Sequence, residues 1–227
     1  MKCLVVIPAR GGSKRIPHKN IALLMGRPLL LYAIDCARAA GLLGATVVST
    51  EDARISATAI EAGARVAVRP PALATDTAST EAVLLDALDQ RIAAGEGEVD
   101  WIVTLPPTSP LRSPATLTRF VAELDAAAAD VDCIMSVTEN RSDFWRYDAE
   151  GRFGRLFPDA PRRQQDRAPL YEENSAIYMT RVAALRETGS VLGRKVVGLP
   201  ISAFEALDIN TPADLELAEA LLARRAS

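Results

Sequence analysis

Apolar residues follow two alternating rhythms along the chain. Short runs at Cys3 to Ile7, Ala45 to Ser49, Arg65 to Val68, Trp101 to Leu105 and Cys133 to Val137 predict strands, the first and fourth buried on both faces. Between them, apolar positions step at the helical period. Leu30, Ile34 and Ala37 place a helix from about Arg27, with Pro28 in its first turn and Gly41 at its stop. An alanine-rich helix over residues 51–62 ends at Gly63, and Val83, Leu84, Ala87 and Leu88 mark another over 79–92. Ser113 as N-cap and Pro114 as first helical residue open a helix that runs to about Ala128. Strands alternating with helices imply an α/β fold, a mainly parallel sheet with helices on both faces.

The rhythm breaks between about residues 138 and 173. There, as in "FWRYDAEGRFGRLFPDAPRRQQ", aromatic and charged residues mix with Gly and Pro and no helical period survives. The segment reads as an excursion from the core, with Asp148 to Gly151 suited to turn a hairpin and exposed aromatics suited to pack on a second copy of the chain. Strands return at Ala176 to Met179 and Val196 to Leu199, and Thr211-Pro-Ala-Asp214 forms a capping box for the last helix. With no repeat or low-complexity tail, residues 1–227 read as a single domain.

Composition narrows the function classes. With 49% hydrophobic and 24% charged residues, a net charge of -3 and a pI near 5.4, the surface is not built for polyanions, so nucleic acid is not expected as the main partner. Cys3, Cys36 and Cys133 lie far apart, with no Cys-x-x-Cys spacing, and are expected as buried free thiols. The opening apolar run stops at Pro8, too short for a signal peptide core, and no apolar stretch reaches the length of a membrane span. A cytoplasmic, reducing setting without membrane contact is the expectation.

Against that balanced background, "PARGGSKRIPHKN" at residues 8–20 packs five basic side chains, counting His18, around two glycines with no acid. It follows the first strand, and in open parallel sheets the ligand crevice forms at the carboxyl ends of strands. Gly11 and Gly12 would let the backbone approach an anion, while Arg10, Lys14, Arg15 and Lys19 could neutralise several charges, as a triphosphate requires. A solvated basic loop would show the same charge run. The Walker order of Gly-Lys-Ser/Thr is missing, since Ser13 precedes Lys14, and no Gly-x-Gly-x-x-Gly follows the strand.

Two further stretches carry candidate chemistry. In "ALDINTPADL", Asp208 and Asn210 are oxygen donors spaced two apart on an extended segment and could hold a divalent cation beside phosphate oxygens; Asn-Thr-Pro before a helix is equally good capping chemistry. In "LPPTSPLR", residues 105–112, three prolines stiffen a loop that could fix Thr108, Ser109 and Arg112 as donors, or serve only as a rigid connection.

Together these stretches resemble one family, the cytidylyltransferases that activate sialic acids and related nine-carbon or eight-carbon 3-deoxy-2-keto sugar acids. The resemblance runs through nearly the whole chain, on "ARGGSKRIPHKN", "VRPPALATDTAST", "PPTSPLR", "RRQQ" with "ENSAIYM", and "LDINTPADL", in the family's order. It implies a Rossmann-like nucleotidyltransferase sheet of the nucleotide-diphospho-sugar transferase type, with CTP and Mg2+ as requirements. It also implies a homodimer in which an excursion, here about 138–173, reaches the partner's site. By matched position, Arg10, Gly11, Ser13, Lys14, Lys19 and Asn20 would hold the triphosphate and nucleotide, and Arg69, Ala78 and Thr80 the cytosine and ribose. Thr108, Ser109, Arg163, Gln164, Asn174 and Tyr178 would bind the sugar acid, with Arg146 a looser match near its carboxylate, and Asp208 and Asn210 the metal. Two departures stand out: Pro106 where the family usually has Gln, and Asn210 where it usually has Asp.

The implied reaction is attack by the sugar's anomeric hydroxyl on the α-phosphorus of CTP, giving CMP-sugar and pyrophosphate for cell-surface polysaccharide synthesis. Arg10, Lys14 and Lys19 would carry the catalysis electrostatically, with His18 a solvated loop residue and not a base. Pro106 and Asn210 keep a non-catalytic nucleotide-binding relative open, and the sheet also suits a nucleotidyltransferase for another sugar class.

Overall fold

The computed structural model describes residues 3–226; Met1 and Lys2, which head the opening run, and Ser227 lie outside the described residues. In chain order the first half comprises β1 (Cys3–Pro8), β2 (Leu23–Leu24), β3 (Arg27–Pro28), α1 (Leu29–Ala39), β4 (Thr46–Thr50), α2 (Ala53–Glu61), β5 (Arg65–Val68) and α3 (Thr80–Ala93). Then follow β6 (Trp101–Thr104), α4 (Pro114–Ala126), β7 (Cys133–Asn140), β8 (Trp145–Tyr147), β9 (Phe153–Arg155), β10 (Leu170–Arg181), α5 (Val182–Thr188), β11 (Val196–Pro200) and α6 (Pro212–Ala226).

The residues of β1 show why the sheet needs helices on both sides. Successive side chains of a strand point to opposite faces. Val5 and Ile7 join one core with Leu30 and Ile34 of α1, Ile55 of α2, and Leu117 and Phe120 of α4. Leu4 and Val6 join a second core with Leu84 and Leu88 of α3 and Leu185 of α5. Each such buried aliphatic side chain stabilises the fold by roughly 1.5–3 kcal/mol of transfer free energy.

Seven strands form the main sheet in the order β11-β7-β10-β6-β1-β4-β5. Helical crossovers make β1, β4, β5 and β6 parallel neighbours, as expected. The departure is β10, antiparallel to both β6 and β7. It returns from β7 through the excursion, with no α-helix to carry the chain back across the sheet, and such a connection closes antiparallel. β10 also starts at Leu170, well before the expected Ala176, because its first residues pair with the outer end of β7, Leu170 with Asn140 and Tyr171 with Glu139.

The excursion has its own order. Asp148 to Gly151 turns the β8–β9 hairpin, with the Asp148 N–H donating to Arg152 O at 3.0 Å. Asp143 gathers Arg155 at 3.0 Å, Arg167 at 3.4 Å and Arg162 at 3.6 Å, and the Arg155 hydrogen bond leads the effects that hold its carboxyl below the usual range. Cys36 and Cys133 are buried free thiols, the Cys133 pKa pushed up to about 12 chiefly by burial, whereas Cys3 is only partly buried. Among the described residues, no helix is long and apolar enough to cross a membrane.

Because β6, β7 and β11 run in the same direction as β1, β4 and β5, the segments after β1, β5, β6 and β11 all leave the same edge of the sheet. The nucleotide and metal candidates lie on those four segments, whereas Arg146, Arg163, Gln164, Asn174 and Tyr178 lie on the excursion and on β10.

Candidate active site

The segment after β1 is shaped by its own residues and by the start of α2. The Asn20 amide donates to the Arg10 carbonyl at 2.9 Å and closes the loop on itself. A short 3-10 turn, Lys19–Ile21, ends it, and Ile16 is buried in a small third core with Leu24, Leu29, Ile209 and Ala218. That apolar anchor inside a basic run, paired with Ile209 between Asp208 and Asn210, seats the two polar stretches side by side. Outside, the Gly11 N–H donates to Glu51 Oε1 at 2.7 Å, and His18, exposed and in the left-handed region at φ 51°, lies 2.8 Å through Nδ1 from Arg54 Nη2.

The segments then knit together. Lys19 Nζ donates to the Ile209 carbonyl at 2.9 Å and to Asn210 Oδ1 at 3.3 Å, and the Ile209 N–H donates to the Thr108 carbonyl at 2.8 Å. Arg10 Nη1 donates to the Thr75 carbonyl at 2.9 Å, and Asp76 pairs with Arg10 Nη2 at 2.8 Å and Lys14 Nζ at 2.6 Å. Arg69 is buried, its Nη2 on the Ser49 carbonyl at 2.9 Å and its Nε on Ser49 Oγ at 3.2 Å. Burial is the main cause lowering the pKa of both Lys19 and Arg69, partly opposed by Asp208 and Glu51 respectively.

Between these segments lies a cavity of about 570 Å³ whose lining, among the described residues, includes Arg10, Lys14, Arg15, Lys19 and Arg69 but only one acid, Asp76. Such a surplus of fixed cations at a strand edge suits a small, multiply charged anion. Ser13, Asn20, Ala78, Thr80, Pro106 and Thr108 also line it. So does Asn210, whose Nδ2 donates to Asp208 Oδ2 at 2.5 Å.

The capping alternative for this last stretch resolves in a specific way. Asp214 Oδ2 accepts from the Asn210 and Thr211 N–H groups at 2.9 and 2.7 Å, so the cap of α6 is made by Thr211 and Asp214. The Asp208 and Asn210 side chains are left beside Lys19. One carboxylate and one amide oxygen fit a hard cation that completes its shell with phosphate oxygens; among the described residues, no three His, Cys, Asp or Glu side chains gather into a protein-only cage.

Other candidate residues lie elsewhere. Gly11 is buried and outside the cavity lining; a Cβ on it would meet Asp52 Oδ2 at 2.6 Å, so its missing side chain makes room for α2 and not for a ligand, while a Cβ on Gly12 meets nothing within 4 Å. Ser109 is fully buried behind the lining and its hydroxyl has no partner, so packing keeps it from the cavity. Arg112 is buried too, donating through Nη1 to the Ala176 carbonyl, and burial lowers its pKa. Arg146, Arg163 and Gln164 are exposed on the excursion, away from this chain's own cavity. Asn174 holds the bulge between β7 and β10, accepting from Ser136 Oγ at 2.5 Å and donating to Thr138 Oγ1 at 2.9 Å. Tyr178 donates to Glu173 Oε1 and sits 3.0 Å from Ser175 Oγ, its pKa raised first by burial and then by the Glu173 contact. The residue missed from sequence is Asp76, a lone carboxylate in a polar loop with no local signal to set it apart.

A family model described as Cytidylyltransferase matches residues 4–222. The chain belongs to the cytidylyltransferase family. This cytidylyltransferase is 32% identical over 226 residues to CMP-N,N'-diacetyllegionaminic acid synthase of Legionella pneumophila, covering 98% of this chain and 97% of that protein. It is 30% identical over 220 residues to N-acylneuraminate cytidylyltransferase of Streptococcus agalactiae, covering 94% of this chain but 52% of that longer protein. Among solved structures, CMP:2-keto-3-deoxy-manno-octonic acid synthetase complexed with CTP superposes with a TM-score of 0.67 at 18% identity, covering 99% of this chain and 100% of that one, a likeness of fold.

Proposed function

We propose that this cytidylyltransferase transfers CMP from CTP to the anomeric hydroxyl of a 3-deoxy-2-keto sugar acid, releasing pyrophosphate. The observation that carries this is the cavity at the carboxyl edge of the sheet, where five basic side chains face one acid. The anomeric oxygen bonds to the α-phosphorus as the bond to the pyrophosphate oxygen breaks, and the hydroxyl proton passes to solvent water. Arg10, Lys14 and Lys19 offset the charge that builds on the phosphoryl oxygens and the departing pyrophosphate, and Ser13 and Asn20 orient the chain of phosphates. Arg69, Ala78 and Thr80 line the end of the cavity assigned to cytosine and ribose. Asp208 and Asn210 would hold Mg2+, which when bound supplies further charge neutralisation and alignment.

For the acceptor, Thr108 lies at the cavity and Asn174 and Tyr178 on β10. Arg146, Arg163 and Gln164 are exposed and do not line the cavity of their own chain, which supports a homodimer in which the 138–173 excursion serves the partner's site. The exposed Trp145, Tyr147 and Phe153 cluster, with ring centroids 5.3 and 4.9 Å apart for the two contacts to Phe153, supports the same reading.

Incubation with CTP, Mg2+ and a panel of sialic, legionaminic, pseudaminic and eight-carbon keto acids, followed by pyrophosphate measurement, tests the proposal. Release with at least one acid, and little with UTP in place of CTP, is expected; no release with any acid, or equal release with UTP, contradicts it.

A further inference from the structure

Among the described residues, the only acidic side chain in the cavity lining lies where an anionic ligand would be repelled. Asp76 bridges Arg10 Nη2 at 2.8 Å and Lys14 Nζ at 2.6 Å, so two of the cations assigned to the phosphates are already paired within the chain. A carboxylate spanning a guanidinium and an ammonium makes the charge-assisted contacts that a phosphate would make with the same groups. The Lys14 hydrogen bond is the leading cause holding the Asp76 carboxyl below its usual range.

The loop that carries Asp76 has little else to dock it. Residues 75–77 are exposed. Apart from the Arg10 bond to the Thr75 carbonyl at 2.9 Å, the hydrogen bonds of this stretch are local, from the Ala78 N–H to the Thr75 carbonyl at 3.4 Å and between the Thr75 and Thr77 hydroxyls at 3.3 Å. Lys14 is 81% and Asp76 42% exposed, so the pairs are screened and individually weak. A ligand with several negative charges can therefore displace the carboxylate, whereas a weakly charged one gains too little to do so.

We infer that Asp76 is a built-in counter-ion of the triphosphate site: it holds Arg10 and Lys14 in the cavity of the free protein, and the polyphosphate of the nucleotide binds by taking both cations from it. The inference rests on the reading of this cavity as a triphosphate site. After transfer, the same carboxylate competes with pyrophosphate for Arg10 and Lys14 and favours its departure. Asp76 thus acts through the two cations, as a positioning residue that raises the charge a ligand must bring.

Calorimetric titration of the full chain with inorganic triphosphate, CTP and cytidine tests this in the wild type, Asp76→Asn, Lys14→Ala and the double variant. Asn keeps the size of the side chain on an exposed loop, and an unchanged Tm confirms the fold. Asp76→Asn is expected to tighten inorganic triphosphate and CTP about fivefold, as the loss of two exposed pairs allows, with cytidine unchanged and the gain diminished when Lys14 is already Ala. If Asp76→Asn leaves triphosphate affinity unchanged or weaker while Lys14→Ala weakens it, the counter-ion role is overturned and the site assignment stands. If the wild type binds neither triphosphate nor CTP, or Lys14→Ala changes nothing, both fall.

Discussion

Lys19 is tied into the site from two sides, since its ammonium bonds the Ile209 carbonyl and Asn210 Oδ1 and burial lowers its pKa. Only the charged form can hold a phosphate, so its contribution is present below the lowered pKa and is lost as pH rises through it, sooner than for an ordinary lysine near about 10.4. CTP affinity followed against pH should show an alkaline limb from this loss. Lys19→Arg, which does not titrate in that range, should move the limb upward; an identical limb in wild type and variant would remove Lys19 from the phosphate site. The basic residues were legible in the sequence because their charge is uncompensated within their own segment. Asp76, which compensates two of them, was not legible as their partner, because it comes from a loop 62 positions beyond Lys14 and pairing across that separation leaves no mark on either segment.

At the scale of elements, the site depends on how the segment after β1 is pressed against the start of α2 and against the third core. The two adjacent glycines separate these demands. Gly11→Ala puts a Cβ 2.6 Å from Asp52 Oδ2 and 2.8 Å from Asp52 Cβ, on the residue whose side chain caps α2 by accepting from the Arg54 and Ile55 N–H groups. It should destabilise the protein by about 1–3 kcal/mol in urea denaturation. Gly12→Ala meets no protein atom within 4 Å yet lines the cavity, so stability should be nearly unchanged while CTP binds more weakly. The reverse pattern would show that Gly12 supports the fold and Gly11 the ligand. Most elements were readable from period and punctuation: β5 falls where its apolar run lies, and the Ser113 and Asp214 caps use ordinary local chemistry. What escaped was α5, seven residues too short to show a period, and the outer half of β10, whose "LYEEN" reads as polar loop until β7 supplies its partner.

For the molecule as a whole, a common strand direction brings four distant segments to one edge, and a single antiparallel strand carries the excursion outward. The hairpin at its tip leaves Tyr147 72% and Phe153 59% exposed, more apolar ring than a monomer ordinarily shows to water. Analytical ultracentrifugation should find a dimer, and Phe153→Glu should weaken it by about tenfold or more; a wild-type monomer at micromolar concentration would refute the role given to this segment. The direction of β10 and the reach of the excursion were not readable from local pattern, since both depend on pairing between distant strands. The central claim is that the cationic cavity after β1 receives the phosphates of CTP, and a crystal structure of the protein with CTP tests it most directly. The account predicts the triphosphate in contact with Arg10, Lys14 and Lys19 and the base near Arg69, Ala78 and Thr80. A nucleotide bound at another place, with those cations turned to solvent, would contradict it.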